Sequence, residues 1–192
     1  MARGKLILII GPTGSGKSVL IDYVHKELPE IRYLKTYTTR TRRTALENAH
    51  YEFIDDAEFD RMIADAEFIE WAQFGSARYG TSRKDLDEGV ASGVIMLKEM
   101  EVQGIRQMLA QLPREELKLF YIDAGSWSEL EQRVRARGSI TDEEIEKRKQ
   151  RYDDELPFKD MADVVLRNYA GELEEAKAAF KQAVQNELDE VH

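Results

Sequence analysis

The chain of 192 residues has no cysteine, 4 prolines, 2 tryptophans and 3 histidines. Without cysteine there is no structural disulfide and no thiolate metal site, and His25, His50 and His192 are too scattered for a zinc set. An excess of positive charge is also missing. Lys and Arg total 28 against 37 Asp and Glu, a net charge of −9, which excludes the broad basic face that binds duplex DNA or RNA, so nucleic acid is not an expected partner. A small anion in a local basic pocket stays compatible with that balance. No apolar run approaches the roughly 20 residues that cross a bilayer. The first run, residues 6–10, stops at Gly11-Pro12 and is too short for the core of an export signal. The expectation is one soluble, cytoplasmic domain with no membrane partner. A core of this size buries roughly 70% of the surface of the unfolded chain, so neither metal nor cross-link is needed for stability.

What is present is an alternation. Apolar runs at 6–10, 33–38, 94–97, 117–122 and 164–166 read as five strands, separated by helix-period segments. Leu20, Tyr23, Val24 and Leu28 recur at helical spacing until Pro29; Ile105, Met108, Leu109 and Leu112 do so until Pro113. Leu173, Ala176, Phe180, Val184 and Leu188 make the stripe of a closing amphipathic helix. Near-continuous hydrophobicity in the runs predicts an α/β fold with a mostly parallel five-stranded sheet flanked by helices. Ligands then bind beyond the strands' C-terminal ends. Residues 39–92 and 127–157 break the alternation and read as insertions over the sheet.

Gly11-Pro12-Thr13-Gly14-Ser15-Gly16-Lys17-Ser18 satisfies G-x-x-x-x-G-K-[ST] directly after a strand and at the opening of a helix, the context of a phosphate-binding loop (Walker A). Its glycines let the backbone N–H groups turn inward, and the helix N-terminus adds positive potential. Lys17 is expected to reach the β- and γ-phosphates of ATP, and Ser18, followed by Val19, to offer its hydroxyl to Mg²⁺.

The loop alone does not say which reaction follows. Thr36-Tyr37-Thr38-Thr39-Arg40-Thr41-Arg42-Arg43 concentrates three arginines in an acidic chain; Phe68-Ile69-Glu70-Trp71-Ala72, Tyr79-Gly80-Thr81, and Arg133, Arg137 and Arg148 follow. In that order these motifs resemble the guanylate kinase family along almost the whole chain. The resemblance implies a nucleoside monophosphate kinase of purine nucleotide metabolism with three parts. These are a P-loop core (1–34, 97–125 and 158–192), a monophosphate-binding region (35–96) and a helical lid (126–157). It assigns the acceptor phosphate to Arg40, Arg43, Tyr51 and Tyr79, and guanine to Thr36, Glu70 and Thr81, with Glu99 and Glu101 at the substrate. Arg137 and Arg148 would close over the γ-phosphate, Arg133 would help hold the nucleotide, and Asn168 would meet the adenine side of ATP. Lys17, Arg40, Arg137 and Arg148 become the catalytic set. The substrates implied are ATP with GMP or dGMP, in a monomer or a homodimer.

The chain departs from the family pattern where Glu99-Met100-Glu101, after Lys98, replaces D-I-D, where the link from Arg43 to Tyr51 lacks glycine, and where Ala124-Gly125-Ser126 replaces P-P-S. These differences leave open a kinase for another or a modified purine monophosphate. A non-catalytic protein-binding module is the further alternative, against which Gly16-Lys17-Ser18 is intact.

Overall fold

The computed structural model describes residues 3–136 and 138–191. The order is β1 (Lys5–Ile10), α1 (Lys17–Glu27), β2 (Arg32–Tyr33), β3 (Thr36–Thr38), a 3-10 turn (Ala45–Ala49), β4 (Tyr51–Phe53), α2 (Asp56–Ala64), β5 (Phe68–Phe74), β6 (Ala77–Ser82), α3 (Arg83–Ala91), β7 (Ile95–Glu99), α4 (Val102–Gln111), a 3-10 turn (Arg114–Glu116), β8 (Leu117–Asp123), α5 (Trp127–Ala136), α6 (Asp142–Glu155), α7 (Pro157–Met161), β9 (Val164–Arg167) and α8 (Leu173–Val191).

Five strands form a sheet in the order β2-β7-β1-β8-β9, with every pairing parallel. β1 lies at its centre, and Leu6, Ile7, Leu8, Ile9 and Ile10 are each fully buried. Successive side chains leave opposite faces of a strand. Ile7 and Ile9 therefore pack with Leu20 and Val24 of α1 and with Phe180 and Val184 of α8. Leu6, Leu8 and Ile10 pack on the other side with Leu86 of α3 and with Ile105 and Met108 of α4. This double cover is why the strand reads as an unbroken apolar run. β3, β4, β5 and β6 make a second sheet in the order β4-β3-β6-β5, with β3 parallel to β4 and antiparallel to β6.

One expectation is corrected. The run at 33–38 is not a single strand: the chain leaves the core sheet after Tyr33 and opens the second sheet at Thr36. Leu34 N–H still reaches Leu97 O at 2.9 Å, but the Leu34 and Lys35 carbonyls both accept from Lys98 Nζ, each at 3.2 Å. A side chain thus satisfies the backbone at the point where the two ladders part.

Asp123 at the end of β8 ties together the chain segments that flank the second insertion. It accepts from Lys159 Nζ and Tyr169 Oη, both at 2.9 Å, and from Gly125 N at 3.2 Å. Burial pushes its carboxyl up, but these hydrogen bonds outweigh the burial and hold it below the ordinary value.

Candidate active site

The loop between β1 and α1 turns through Gly14 and Gly16, at φ +91° and +89°, a left-handed conformation that glycine adopts without strain. Ser15 N–H closes the turn on Pro12 O at 2.9 Å. Asn168, just after β9, braces it from beneath by donating from Nδ2 to Ser15 O at 2.6 Å, and a Cβ on Gly16 would collide with that amide. Ser15 is fully buried with its Oγ unpartnered. The first turn of α1 begins at Lys17, so its free N–H groups open toward the loop. Lys17 Nζ donates to Gly11 O at 2.6 Å and Pro12 O at 3.2 Å and lies 3.5 Å from Glu99 Oε1; Ser18 Oγ donates to Glu99 Oε2 at 3.4 Å. Val19 lies just outside, half exposed.

From this loop a cavity of about 380 Å³ runs across the C-terminal end of β7 to the second sheet. It is lined by Thr13, Lys17 and Ser18 at one end and by Thr36, Tyr51, Glu70 and Tyr79 at the other, with Glu99 and Glu101 between. Nine of the residues singled out in the sequence therefore share one space. Glu70 is 6% exposed, and Thr81, fully buried behind it, donates its hydroxyl to Glu70 Oε1. Burial pushes the Glu70 carboxyl above the ordinary range, against the opposing charge of Lys98 and the Thr81 hydrogen bond. Burial also raises the Tyr51 hydroxyl. A larger depression of about 740 Å³ lies over α2 and α3, but six carboxylates line it against Arg61, Arg83 and Lys84, and Arg61 is already bound by Glu58, Asp65 and Glu67, leaving it poorly suited to an anion.

The arginines are less concentrated. Arg40 is close to the cavity: its guanidinium stands 5.1 Å from the Tyr51 ring centroid, oriented by Glu47 Oε1 at 2.8 Å. Glu47 also accepts from the Arg43 and Thr44 amides, at 2.7 and 3.2 Å. The Arg40 hydrogen bond, helped by these amides, brings its carboxyl down to about 2. The Arg43 side chain is exposed. Arg133 donates to Asn168 O at 3.1 Å and so supports the loop from α5. Arg148 lies half-buried on α6 and does not line the cavity. Arg137 lies outside the described residues.

Three contributors were missed in the sequence. Lys98 interrupts an apolar run, a signal that was visible but given no role. Glu47 is ordinary in a polar loop until its partners are known. Glu155, the last residue of α6, lines the cavity and is buried with Oε2 unpartnered, although nothing distinguishes it in sequence from Asp153 or Asp154. Desolvation pushes its carboxyl up to about 7, with Lys17 opposing and Glu99 and Glu101 adding to the rise. A carboxyl raised on folding favours the fold below its unfolded value, about 4.3, and weakens it as pH climbs through 7. Glu155→Gln is therefore expected to melt above the wild type at pH 8, with the difference vanishing below about pH 4. Thermal melts across that range check it; equal melting temperatures at pH 8 would refute the assignment.

Among the described residues no group of three or more His, Cys, Asp or Glu forms a metal cage, and no helix is long and apolar enough to cross a membrane. The neighbouring Ser18 hydroxyl and Glu99 carboxylate are hard oxygen donors of the kind that suits Mg²⁺ when phosphates and water complete its shell.

Comparison with known proteins points to one family. The family model described as guanylate kinase matches residues 3–187. A guanylate kinase of Streptomyces coelicolor is 38% identical over 148 residues, covering 77% of this chain and 74% of the relative. One from Thermobifida fusca is 36% identical over 165 residues, covering 85% and 83%. A crystal structure of guanylate kinase from Anaplasma phagocytophilum superposes with a TM-score of 0.71 over 97% of this chain and 87% of that one; at 24% identity it speaks for the fold alone. With a family match that runs nearly end to end, and a phosphate loop and a buried carboxylate pocket opening on one cavity, this chain belongs to the guanylate kinase family.

Proposed function

We propose that the protein transfers the γ-phosphoryl group of ATP to GMP or dGMP, yielding ADP and GDP or dGDP. The observation that carries this reading is the single cavity shared by Lys17 and Ser18 at one end and Glu70 at the other. ATP phosphates lie in the 11–18 loop, where Gly11, Gly14, Ser15 and Gly16 contribute backbone and Lys17 contributes charge. Asn168 and Arg133 hold the loop's floor and the nucleotide beside it. Ser18, with Glu99 next to it, would hold Mg²⁺, which when bound would supply neutralisation of phosphate charge.

At the far end Glu70 accepts from the N1–H and exocyclic amine of guanine, while adenine, with no N1–H, leaves that carboxylate unpaired. Thr36 and Thr81 complete the base pocket; Tyr51, Tyr79, Arg40 and Arg43 hold the acceptor phosphate. That phosphate is largely a dianion near neutral pH, its second pKa being about 6, so no general base is needed. Catalysis is positioning and charge neutralisation. Four carboxylates line the cavity (Glu70, Glu99, Glu101 and Glu155), so cations must be brought to it as the substrates meet. Movement of regions 35–96 and 126–157 toward the core delivers Arg40, Arg137 and Arg148 and excludes water. Every residue of the site comes from one chain, so the scheme serves a monomer and a homodimer alike, in the cytoplasm where both nucleotides are available.

A coupled ADP-release assay with GMP, dGMP, AMP, CMP, UMP and dTMP tests this. Turnover confined to the guanine nucleotides is expected. Activity with none points to a binding module, and preference for another base removes the role given to Glu70.

A further inference from the structure

Lys98 is 1% exposed, one residue before the C-terminal end of β7, and lines the base end of the cavity. Its three ammonium protons have three acceptors: Leu34 O and Lys35 O at 3.2 Å and Thr36 Oγ1 at 2.7 Å. An ammonium has no lone pair, so Thr36 must accept from it, and the Thr36 hydroxyl proton is left to donate elsewhere. Thr36 lines the same cavity. The neighbouring carboxylate is constrained in the complementary sense: Thr81 donates to Glu70 Oε1, while Glu70 Oε2 lies by Gly104, where an added Cβ would come within 3.2 Å of it. The pocket thus offers a donor, Thr36, beside a carboxylate, Glu70, whose Oε2 accepts from no protein group among the described contacts.

We propose that Lys98 is a positioning residue for base selection: its buried ammonium fixes Thr36 as a donor and keeps Glu70 a charged acceptor, so the pocket reads a 6-oxo purine with a protonated N1 and rejects a 6-amino purine. This rests on the guanine-nucleotide reading above and deepens it. A 6-oxo purine presents an acceptor next to a donor, matching Thr36 and Glu70; a 6-amino purine presents a donor next to an acceptor and mismatches both. Charge supports the hydrogen-bond argument. Lys98 and Thr81 are the groups that oppose the burial of Glu70. Lys98 itself faces Glu70 and, from α3, Asp85, while burial lowers its ammonium to about 8. Glu99 and Glu101 are the other charged groups along the cavity on that side.

The test is steady-state kinetics on wild type, Lys98→Met, Lys98→Gln, Glu70→Gln and the Glu70→Gln/Lys98→Met double variant, from pH 5.5 to 9 with GMP, IMP and AMP. Lys98→Met is expected to raise KM for GMP by about 10- to 100-fold, the size of a lost charge-assisted hydrogen bond, with KM for ATP within about twofold. The GMP-to-AMP preference should fall with it. Without the ammonium Glu70 stays protonated to higher pH, so the rise in KM for GMP on acidification moves upward in pH. Lys98→Gln, which keeps a donor for Thr36 without the charge, should recover most of KM at pH 8 but keep the shifted acid limb. Since Lys98 moves the pH profile through Glu70 alone, the double variant should show no pH shift beyond that of Glu70→Gln.

Equal changes in KM for GMP and ATP, an unaltered base preference or a pH shift in the double variant beyond that of Glu70→Gln would overturn the proposal. Should the Lys98 variants fail to fold, ¹³Cε-lysine spectra of the wild type decide. One lysine resonance moved by GMP but not by AMP is expected from the contacts Lys98 makes beside the base, and its absence overturns the role. A wild type inactive on GMP removes the function itself, whereas a wild type active on GMP with an unperturbed Lys98→Met removes only the part given to Lys98.

Discussion

Lys17→Met will lower kcat by roughly 10²- to 10³-fold with GMP, the range found when one preorganised donor to developing charge is removed. Two lysines line the cavity, and the other, Lys98, has all three protons engaged at the base end. Lys17 is therefore the cation at hand for the transferring phosphoryl group. Its contacts with Gly11 O, Pro12 O and Glu99 are made in the loop itself, so a polyphosphate bound there competes for the same ammonium. The fold should persist, since methionine keeps the length of the side chain and no core contact depends on Nζ. Single-turnover rates with saturating ATP and GMP, alongside a melting curve, check the prediction. A kcat within a few-fold of wild type in a folded variant would move the catalytic charge elsewhere.

The second large effect concerns the base. Glu70→Gln will cut kcat/KM for GMP by roughly 10²- to 10⁴-fold, because two charge-assisted hydrogen bonds are replaced by neutral ones and half of the amide presents a donor where guanine also presents donors. AMP turnover should change far less, so the ratio between the two narrows. The pH dependence carries an independent signature. Burial raises the Glu70 carboxyl above its ordinary value, and the ionised form is the one that accepts from guanine. KM for GMP in the wild type must then rise as pH falls through that raised value, while the amide variant keeps only the limb from the substrate phosphate itself, near pH 6. Identical acid limbs in the two proteins would show that Glu70 does not read the base.

Two features were readable in the chain because their physics is local. The phosphate loop needs a strand end, three positive-φ glycines (Gly11, Gly14 and Gly16) and a helix N-terminus, all contiguous, and these appear in the order the motif predicts. The core strands were readable because burial on both faces removes polar residues from them. The run at 33–38 misled because apolarity reports burial but not the sheet in which a segment is buried; the break at Leu34 and Lys35 is made by a side chain more than sixty positions away. Glu155 was invisible for a related reason. Its neighbours Asp153 and Asp154 are exposed, and only the helix phase together with the packing of α6 beneath the cavity takes this one carboxyl out of water.

The amino-acid order by itself determined the phosphate end of the site, since a loop of eight consecutive residues carries its own geometry and its own charge. The base end was decided only by tertiary structure. Thr36, Glu70, Thr81 and Lys98 come from four strands in two sheets, and whether a hydroxyl donates or accepts depends on which neighbour has already filled its lone pairs. That assignment exists only once the strands have been brought together.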